Sequence, residues 1–284
     1  MKLDLQRLVA TVIKFVPQKV QLALRGRRGA PSQFATSIHR ILNRLPGQRY
    51  LVLECTGALD GYRMMLDWNK DRSFAYGTWE PEVVNVISKS VSPGMTALDL
   101  GSYGGFFTLL LSQLVGPKGR VIAFEPLPAN FRMLEQNVRL NSIENVTVER
   151  LAVSSQSGEF RLDVPGLESP LLAGPFQDED DRGTTLVPAT SLDDYVFQNE
   201  TRVDFIKIDV EGAEDDVLRG AQRTLDTFHP TMVIELHNLE NEHGLHPAVA
   251  DLEKSGYELQ RLSEALYTTH ILARWQRNSR MMEQ

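Results

Sequence analysis

The sequence predicts an α/β fold: a doubly wound, mostly parallel sheet that is preceded by an N-terminal extension. From Trp79 onward, short apolar runs alternate with segments of helical periodicity, which is typical of βαβ units in a parallel sheet. A glycine-rich turn at 101–105 follows the first of these apolar runs, where such folds pass from strand to helix. We therefore assign residues 1–75 to the extension and residues 76–284 to the α/β domain.

The extension is predicted to contain a basic amphipathic helix and a hairpin. Apolar residues recur at helical spacing from Leu5 to Val16, and residues 1–28 hold seven basic residues against one acidic residue. Such a helix packs on its own domain or on a second copy in a homodimer, or it lies on a membrane surface. Tyr50–Glu54 and Tyr62–Leu66 are strand-like runs joined by turn residues, which predicts the hairpin.

The elements of the α/β domain follow in order along the chain. The predicted strands are Thr96–Leu100, Arg120–Phe124, Val146–Arg150, an extra strand at Gly158–Val164, Val203–Ile208, Met232–Leu236 and two closing strands near 257–262 and 268–274. The predicted helices run to Leu114, over Pro128–Leu140, from the capping residue Ser191, over Glu214–Leu225 and over 247–255. Residues 165–183 break this rhythm as a loop rich in proline, glycine and acidic residues.

Composition and charge exclude several classes of protein. The net charge of −7 and the scattered basic residues argue against nucleic acid as a partner. No run of eighteen apolar residues occurs, so we expect no transmembrane helix. The single cysteine, Cys55, has apolar neighbours and is predicted to be a buried, inert thiol. Residues 1–28 lack the apolar core of a secretory signal, so we expect a cytoplasmic protein.

The turn after Thr96–Leu100 predicts a nucleoside site without a pyrophosphate. In open parallel sheets, ligands bind beyond the carboxyl ends of the strands. A dinucleotide site needs Gly-x-Gly-x-x-Gly, but Tyr103 stands where the second glycine would admit the pyrophosphate. The Gly-Lys-Ser/Thr of a nucleotide-binding P-loop is also absent. A nicotinamide-dependent oxidoreductase or epimerase is therefore the alternative that this turn disfavours.

Charged side chains end the second and fourth strands of the predicted sheet. Glu125 follows Arg120–Phe124, where a carboxylate can accept hydrogen bonds from both hydroxyls of a ribose. Strand alternation points Lys207, Asp209 and Glu211 roughly the same way, and a lysine in a buried strand needs an acidic partner. The alternative to a ligand-binding cluster is an ion pair that simply ends the strand. The intact cluster disfavours a non-catalytic binding domain.

His237 ends the fifth core strand beside Glu235. Its imidazole could act as a general base, because the unperturbed pKa of histidine lies near the operating pH. Asp209, Glu235 and His237 could instead hold a divalent metal through oxygen and nitrogen ligands, an alternative that we do not favour. Three other histidines have no sequence neighbours that suggest a catalytic or ligand-binding role: His39, His229 and His270.

Taken together, these segments resemble the FkbM-type family of class I S-adenosylmethionine-dependent methyltransferases. The resemblance covers roughly Tyr76 to His237 and rests on four segments in order: Gly77–Pro81, Leu98–Phe107, Val121–Pro126 with Asn137 and Asn141 downstream, and Thr190–Asp194 leading into Lys207–Glu214. It implies a seven-stranded sheet whose last strand is antiparallel. It also implies S-adenosylmethionine as the methyl donor and a hydroxyl acceptor on a sugar, polyketide or related natural product.

The resemblance also implies a set of cofactor-binding residues: Glu80, Asp99, Gly101, Ser102, Tyr103, Glu125, Pro126, Ala152 and Asp209. Asp99, Gly101 and Tyr103 would border the methionine part and Glu125 the ribose. The Leu151–Val153 turn would border the adenine, and Asp209 would face the amino group and the methyl group. The family commonly has Gly-Ala-Asn where this chain has Gly101-Ser102-Tyr103, so no asparagine contact to the cofactor is expected.

The predicted reaction is an in-line transfer of a methyl group to an acceptor oxygen. The protein has to align the reactants and to accept the proton of the acceptor hydroxyl. We predict His237 or Asp209 as the base, with Lys207 and Glu211 fixing the orientation and charge of Asp209. The expected partner is a small hydroxylated molecule.

Overall fold

The computed structural model describes residues 50–67, 70–163, 184–237, 247–264 and 268–276. The predicted N-terminal helix, His39 and the 165–183 loop lie outside these ranges. Within them, no helix is both long enough and apolar enough to cross a bilayer.

The described strands are β1 (Tyr50–Glu54), β2 (Arg63–Asp67), β3 (Thr96–Leu100), β4 (Arg120–Phe124), β5 (Val146–Glu149), β6 (Ala152–Ser154), β7 (Gly158–Asp163), β8 (Thr184–Ser191), β9 (Phe205–Ile208), β10 (Thr231–His237), β11 (Tyr257–Glu264) and β12 (Thr268–Trp275). The described helices are α1 (Arg72–Ala75), α2 (Pro81–Ser90), α3 (Phe106–Val115), α4 (Pro128–Leu140), α5 (Leu192–Gln198), α6 (Glu214–Arg219), α7 (Gln222–Phe228) and α8 (Pro247–Lys254). A 3-10 turn at Gly57–Leu59 joins β1 to β2.

A seven-stranded sheet with the order β11-β12-β10-β9-β3-β4-β5 forms the centre of the fold. Strands β5, β4, β3, β9 and β10 pair in parallel, whereas β12 is antiparallel to both β10 and β11. The chain reverses its direction of progress between β3 and β9, so the carboxyl ends of these strands border a crevice. The predicted doubly wound sheet with an antiparallel last strand is therefore confirmed.

Alternating side chains of the central strands divide the apolar core between the two faces of the sheet. Ala97 packs on one face with α2 and α3, whereas Leu98 packs on the other with α5, α6 and α7. This two-sided burial explains why the strands read as continuous apolar runs, because neither face meets water. Helices therefore cover both faces and leave the strand ends as the place where polar groups can gather.

The hairpin β1–β2 is held to the α/β domain by two asparagine side chains of α4. Asn137, fully buried, accepts a hydrogen bond from Met65 N at 2.6 Å and donates to Met65 O at 3.0 Å and to Gly104 O at 2.7 Å. Asn141 pairs in the same way with the backbone of Arg63, at 2.7 Å for both bonds. These side-chain amides form hydrogen bonds with backbone N–H and C=O groups of β2, as a neighbouring strand would.

The predicted helix Glu214–Leu225 is wrong as one continuous element. It is divided into α6 and α7 at Gly220, whose carbonyl accepts a hydrogen bond from Asp193 N at 2.8 Å. A Cβ at Gly220 would lie 2.2 Å from Ser154 O, so the chain packs there against β6. Strands β6, β8 and β7 also form a separate three-stranded sheet, which the apolar periodicity did not indicate.

Cys55 is 1% exposed and belongs to the apolar core beneath the hairpin. Burial raises the pKa of its thiol to about 12, so the thiolate is scarce at neutral pH. The prediction of an inert thiol is confirmed.

Candidate functional site

Polar side chains gather at the carboxyl ends of β3, β4, β9 and β10, which the parallel pairing brings to one edge of the sheet. The antiparallel strand β12 adds a histidine to the same edge. The side chains that make up this candidate site are Glu80, Asp99, Glu125, Lys207, Asp209, Glu211, Glu214, Glu235, His237 and His270.

Lys207 is the buried cation at the centre of the site. Only 3% of it is exposed, and its Nζ lies 2.9 Å from Asp209 Oδ2 and 4.6 Å from the centroid of the Phe107 ring. Burial lowers the pKa of Lys207, but the negative charges of Asp209 and Asp99 raise it by more. The net pKa therefore lies above the ordinary value for lysine. The net shift favours the ammonium form, and Asp209 is the acidic partner that a buried lysine requires.

Asp99 lies beside this pair and has an incompletely satisfied carboxyl group. It is fully buried, and its Oδ2 accepts a hydrogen bond from Thr108 Oγ1 at 2.5 Å. Its Oδ1 is buried without a hydrogen-bond partner among the described residues. Burial raises the pKa of Asp99 despite the nearby charge of Lys207. A buried acceptor of this kind fits a ligand that brings its own N–H donor.

His237 is surrounded by carboxylates. Its Nδ1 donates to the fully buried Glu214 Oε1 at 2.9 Å. Its Nε2 lies 3.5 Å from Glu211 Oε2, 3.8 Å from Glu235 Oε1 and 4.0 Å from Asp209 Oδ1. Burial lowers the pKa of His237, but the hydrogen bond to Glu214 and the charge of Glu211 raise it to about 9. The ring is therefore an imidazolium in the free protein at neutral pH.

His270 belongs to the site, and our expectation that it lacks suitable neighbours is wrong. Its Nε2 lies 3.3 Å from both Glu80 Oε2 and Glu235 Oε2. Burial raises the pKa of Glu235, but His270 lowers it to about 2, so this carboxylate stays ionised. The sequence alone did not indicate this arrangement. Glu235 and His270 meet through the antiparallel register of β10 and β12, and Glu80 reaches them from the start of α2.

Glu125 occupies the place predicted for a ribose ligand and is oriented by three donors. Its Oε2 accepts from Tyr103 N at 2.8 Å, and its Oε1 accepts from Leu127 N at 3.0 Å and from Asn130 Nδ2 at 3.3 Å. A carboxylate has about four acceptor positions, which leaves capacity for a ligand hydroxyl. Burial raises the pKa of Glu125 to about 7 in spite of these donors. Its charge therefore changes within the physiological range.

We expect the affinity for a ribose-containing ligand to fall with pH below about 7. The ionised carboxylate accepts hydrogen bonds from hydroxyls, and its ionised fraction decreases as the pH falls through the pKa of Glu125. Glu125→Gln should weaken binding of S-adenosylhomocysteine about tenfold and remove this pH dependence. Calorimetry at pH 6 and pH 8 measures both, with the exposed Glu144→Gln as the matched control. Equal affinity of the Glu125→Gln variant and the native protein at both pH values would contradict the role.

Gly101 serves the packing of the strand ends. Its φ is +82°, and a Cβ there would lie 1.7 Å from the carbonyl oxygen of Asp209. A side chain would therefore displace Asp209, which is bonded through its N to Leu100 O at 3.0 Å. The glycine acts on the predicted site by fixing where Asp209 lies.

The side chains of the other predicted cofactor-binding residues do not all lie at the candidate site. Tyr103 directs its hydroxyl to Asp71 Oδ1 at 3.3 Å and packs against Phe74, so its side chain lies toward α1. Ser102 is buried and donates to Asp99 O at 2.8 Å. Ala152 pairs with Ala189 in the three-stranded sheet, and Pro126 is half-buried directly after Glu125. Tyr103 N, rather than the Tyr103 ring, reaches the predicted cofactor crevice.

Two groups of three side chains have the composition of a metal site. Glu80, Glu235 and His270 form one group, and Asp209, Glu211 and His237 form the other, each with ligand atoms within 4.8 Å of one another. The metal alternative from the sequence combined Asp209, Glu235 and His237, whereas the structure places Glu235 closer to His270. In each group a protonated histidine already balances part of the carboxylate charge.

Known proteins with similar sequences share the α/β region. Residues 99–259, more than half of the chain, match the family described as the methyltransferase FkbM domain. "Methyltransferase 1" of Beauveria bassiana is 28% identical over 159 residues, which cover 49% of this chain and 63% of that protein. "Hexuronic acid methyltransferase AglP" of Haloferax volcanii is 27% identical over 159 residues, which cover 56% of this chain and 62% of that protein.

The chain thus matches less than two thirds of the length of these two relatives. Among solved structures, the crystal structure of methyltransferase FkbM from Methylobacillus flagellatus KT is similar, with a TM-score of 0.47 and 19% identity. That alignment covers 69% of this chain and 51% of the other.

Proposed function

The chain belongs to the FkbM methyltransferase family, and from that premise we propose that it transfers the methyl group of S-adenosylmethionine to an oxygen atom of a small polar acceptor. The acceptor class that we propose is a hydroxylated metabolite such as a sugar or a polyketide. The printed name of the Haloferax volcanii relative, a hexuronic acid methyltransferase, supports the inclusion of sugars.

The observation that carries this proposal is the charge at the strand ends. Seven carboxyl groups and three cationic groups gather there, among the residues that the structure describes. The edge is therefore suited to a ligand with positive charge. S-adenosylmethionine carries a sulfonium and an ammonium group, and its product S-adenosylhomocysteine lacks the sulfonium charge.

The residues present fit this donor at two positions. Glu125 would hold the ribose hydroxyls, and the buried Asp99 Oδ1, which has no donor of its own among the described residues, would accept from the ammonium group. The bound donor supplies an electrophilic methyl carbon on a sulfonium. Asp209, fixed by Lys207, would lie at the reacting end and align the acceptor hydroxyl for in-line attack.

The acceptor hydroxyl must lose its proton as its oxygen bonds to the methyl carbon. Two groups are in place to receive it: His237 Nε2 and Asp209 Oδ1, which are 4.0 Å apart. Because His237 is protonated in the free protein at neutral pH, it would have to release that proton before acting as a base. A sulfonium nearby would lower the pKa of His237 through repulsion of like charges and so favour this release.

The proposal is tested by a donor-consumption screen. The purified protein is incubated with methyl-labelled S-adenosylmethionine and a panel of neutral sugars, uronic acids and phenolic polyketides, and label transfer and S-adenosylhomocysteine are measured. We expect label on an oxygen of at least one hydroxylated compound. Calorimetry with S-adenosylhomocysteine provides an acceptor-independent check, and lack of any binding would overturn the proposal.

We expect methyl transfer to survive removal of divalent metals. The cations Lys207, His237 and His270 already balance part of the carboxylate charge, so the site does not require an ion for that purpose. Turnover after exhaustive dialysis against EDTA should remain within about twofold of the untreated value. Loss of turnover that Mg²⁺ or Mn²⁺ restores would instead support the metal alternative.

A further inference from the structure

His270 joins three elements of the fold at one point. Its Nε2 lies 3.3 Å from Glu80 Oε2, which precedes α2, and 3.3 Å from Glu235 Oε2 on β10. Its Nδ1 lies 2.9 Å from Ser263 Oγ on β11, which fixes the plane of the ring. Only 8% of His270 is exposed, so these neighbours, rather than water, determine its state.

We propose that His270 is a positioning residue of the methyltransferase: its ring holds Glu80, and with it the segment 77–81, beside the proposed donor site. It also holds Glu235 beside His237. This inference rests on the proposed function and deepens it, because it assigns a role in donor binding to a residue outside the parallel strands.

The backbone of Glu80 shows why an external hold is needed. Its φ of 38° and ψ of 61° are left-handed, a region that residues with a Cβ seldom occupy. Pro81 follows directly and restricts the conformation of Glu80 further. The side chain of Glu80 makes no capping hydrogen bond to α2. A conformation of this kind persists only where the surroundings impose it, and His270 is the cation in contact with the Glu80 carboxylate.

The charge of His270 supports this role. Burial lowers the pKa of His270, but Glu235 and Glu80 raise it to about 9, so the ring is cationic at neutral pH. The charge of Glu80 also acts on the buried Lys207, whose Nζ lies 2.9 Å from Asp209 Oδ2. Glu80 therefore interacts electrostatically with both His270 and the lysine of the proposed donor site.

The test compares His270→Gln, which removes the charge, with His270→Lys, which returns a cation. Hydrogen exchange in the protein without ligand is expected to become about tenfold faster in segment 77–84 of the Gln variant and to recover in the Lys variant. Calorimetry should show about tenfold weaker binding of S-adenosylhomocysteine by the Gln variant. His229→Gln, at the end of α7 and in contact with the Trp275 ring, is the matched control and should leave both quantities unchanged.

The outcomes separate this inference from the proposed function. If the native protein binds S-adenosylhomocysteine but His270→Gln leaves both its affinity and the exchange of 77–84 unchanged, the positioning role is overturned and the proposed function stands. If the native protein binds no donor product, the proposed function fails and the exchange data alone decide whether His270 holds the segment. Should His270→Gln not fold, Glu80→Gln breaks the same contact from the other side and should speed exchange in 77–84 equally.

Discussion

Replacing Asp209 by Ala is expected to lower kcat about 10³-fold and also to weaken binding of S-adenosylmethionine. The carboxylate neutralises Lys207, whose side chain is buried, and lies within 4.0 Å of His237 Nε2. Its removal leaves a buried ammonium without its partner at the place where we propose that the cationic sulfonium binds. Steady-state kinetics with the acceptor found in the screen, together with calorimetry, measure both effects.

A matched pair of variants separates the role of charge from that of folding. Asp209→Asn keeps the size of the side chain and should still lose most of the turnover, whereas the exposed Asp226→Asn should behave as the native protein does. Thermal unfolding has to be followed in parallel, because an unpaired Lys207 should cost about 1–3 kcal/mol of stability. Native turnover in a folded Asp209→Ala variant would rule out the assigned role.

His237→Ala is expected to lower kcat about 10²–10³-fold while changing donor affinity little. His237 stands at the end of β10, and its Nε2 faces Asp209, Glu211 and Glu235 rather than the predicted ribose position. The variant therefore removes the proposed proton acceptor from the proposed reacting end of the site. The kinetic signature is a fall in kcat with a nearly unchanged dissociation constant for S-adenosylhomocysteine, with His229→Gln as the control.

The pH dependence of kcat/KM shows which protonation state of His237 is active. A base must be neutral, so kcat/KM of the native enzyme should rise with pH up to the pKa of free His237, about 9. The part of the rise between about pH 7 and pH 9 should be absent from the residual activity of the His237→Ala variant. If kcat/KM of the native enzyme instead falls above pH 9, the imidazolium is the active form and acts by its charge. Full turnover of His237→Ala would transfer the base role to Asp209.

The sheet and the edge where the site lies could be predicted because both depend on local patterns. Apolar runs of five or six residues predicted β3, β4, β9 and β10, and acidic residues at or just after the ends of these runs marked the strand ends. Parallel strands share their carboxyl edge, so the grouping of Asp99, Glu125 and Asp209 followed from topology alone. Lys207 needed a partner on energetic grounds, and Asp209 is that partner.

The features that escaped prediction depend on contacts between distant residues. The break at Gly220 reflects its packing against Ser154, and nothing in the apolar periodicity of 214–225 signals that contact. His270 reaches the site through an antiparallel pairing in which it lies opposite Glu235. The sequence predicted closing strands, and a histidine on one of them could have been considered as a neighbour of β10. The register of the two strands, however, could not be predicted from one sequence.

One of the two asparagines that bind β2, Asn137, also connects the hairpin to the glycine-rich turn of the proposed donor site. The same amide nitrogen of Asn137 that donates to Met65 O also donates to Gly104 O, inside the glycine-rich turn. The shape of that turn therefore depends on residues nearly forty positions earlier in the chain. We therefore expect a change in the hairpin to alter the affinity for the donor without contacting it, and comparisons of donor affinity among relatives have to take the hairpin into account.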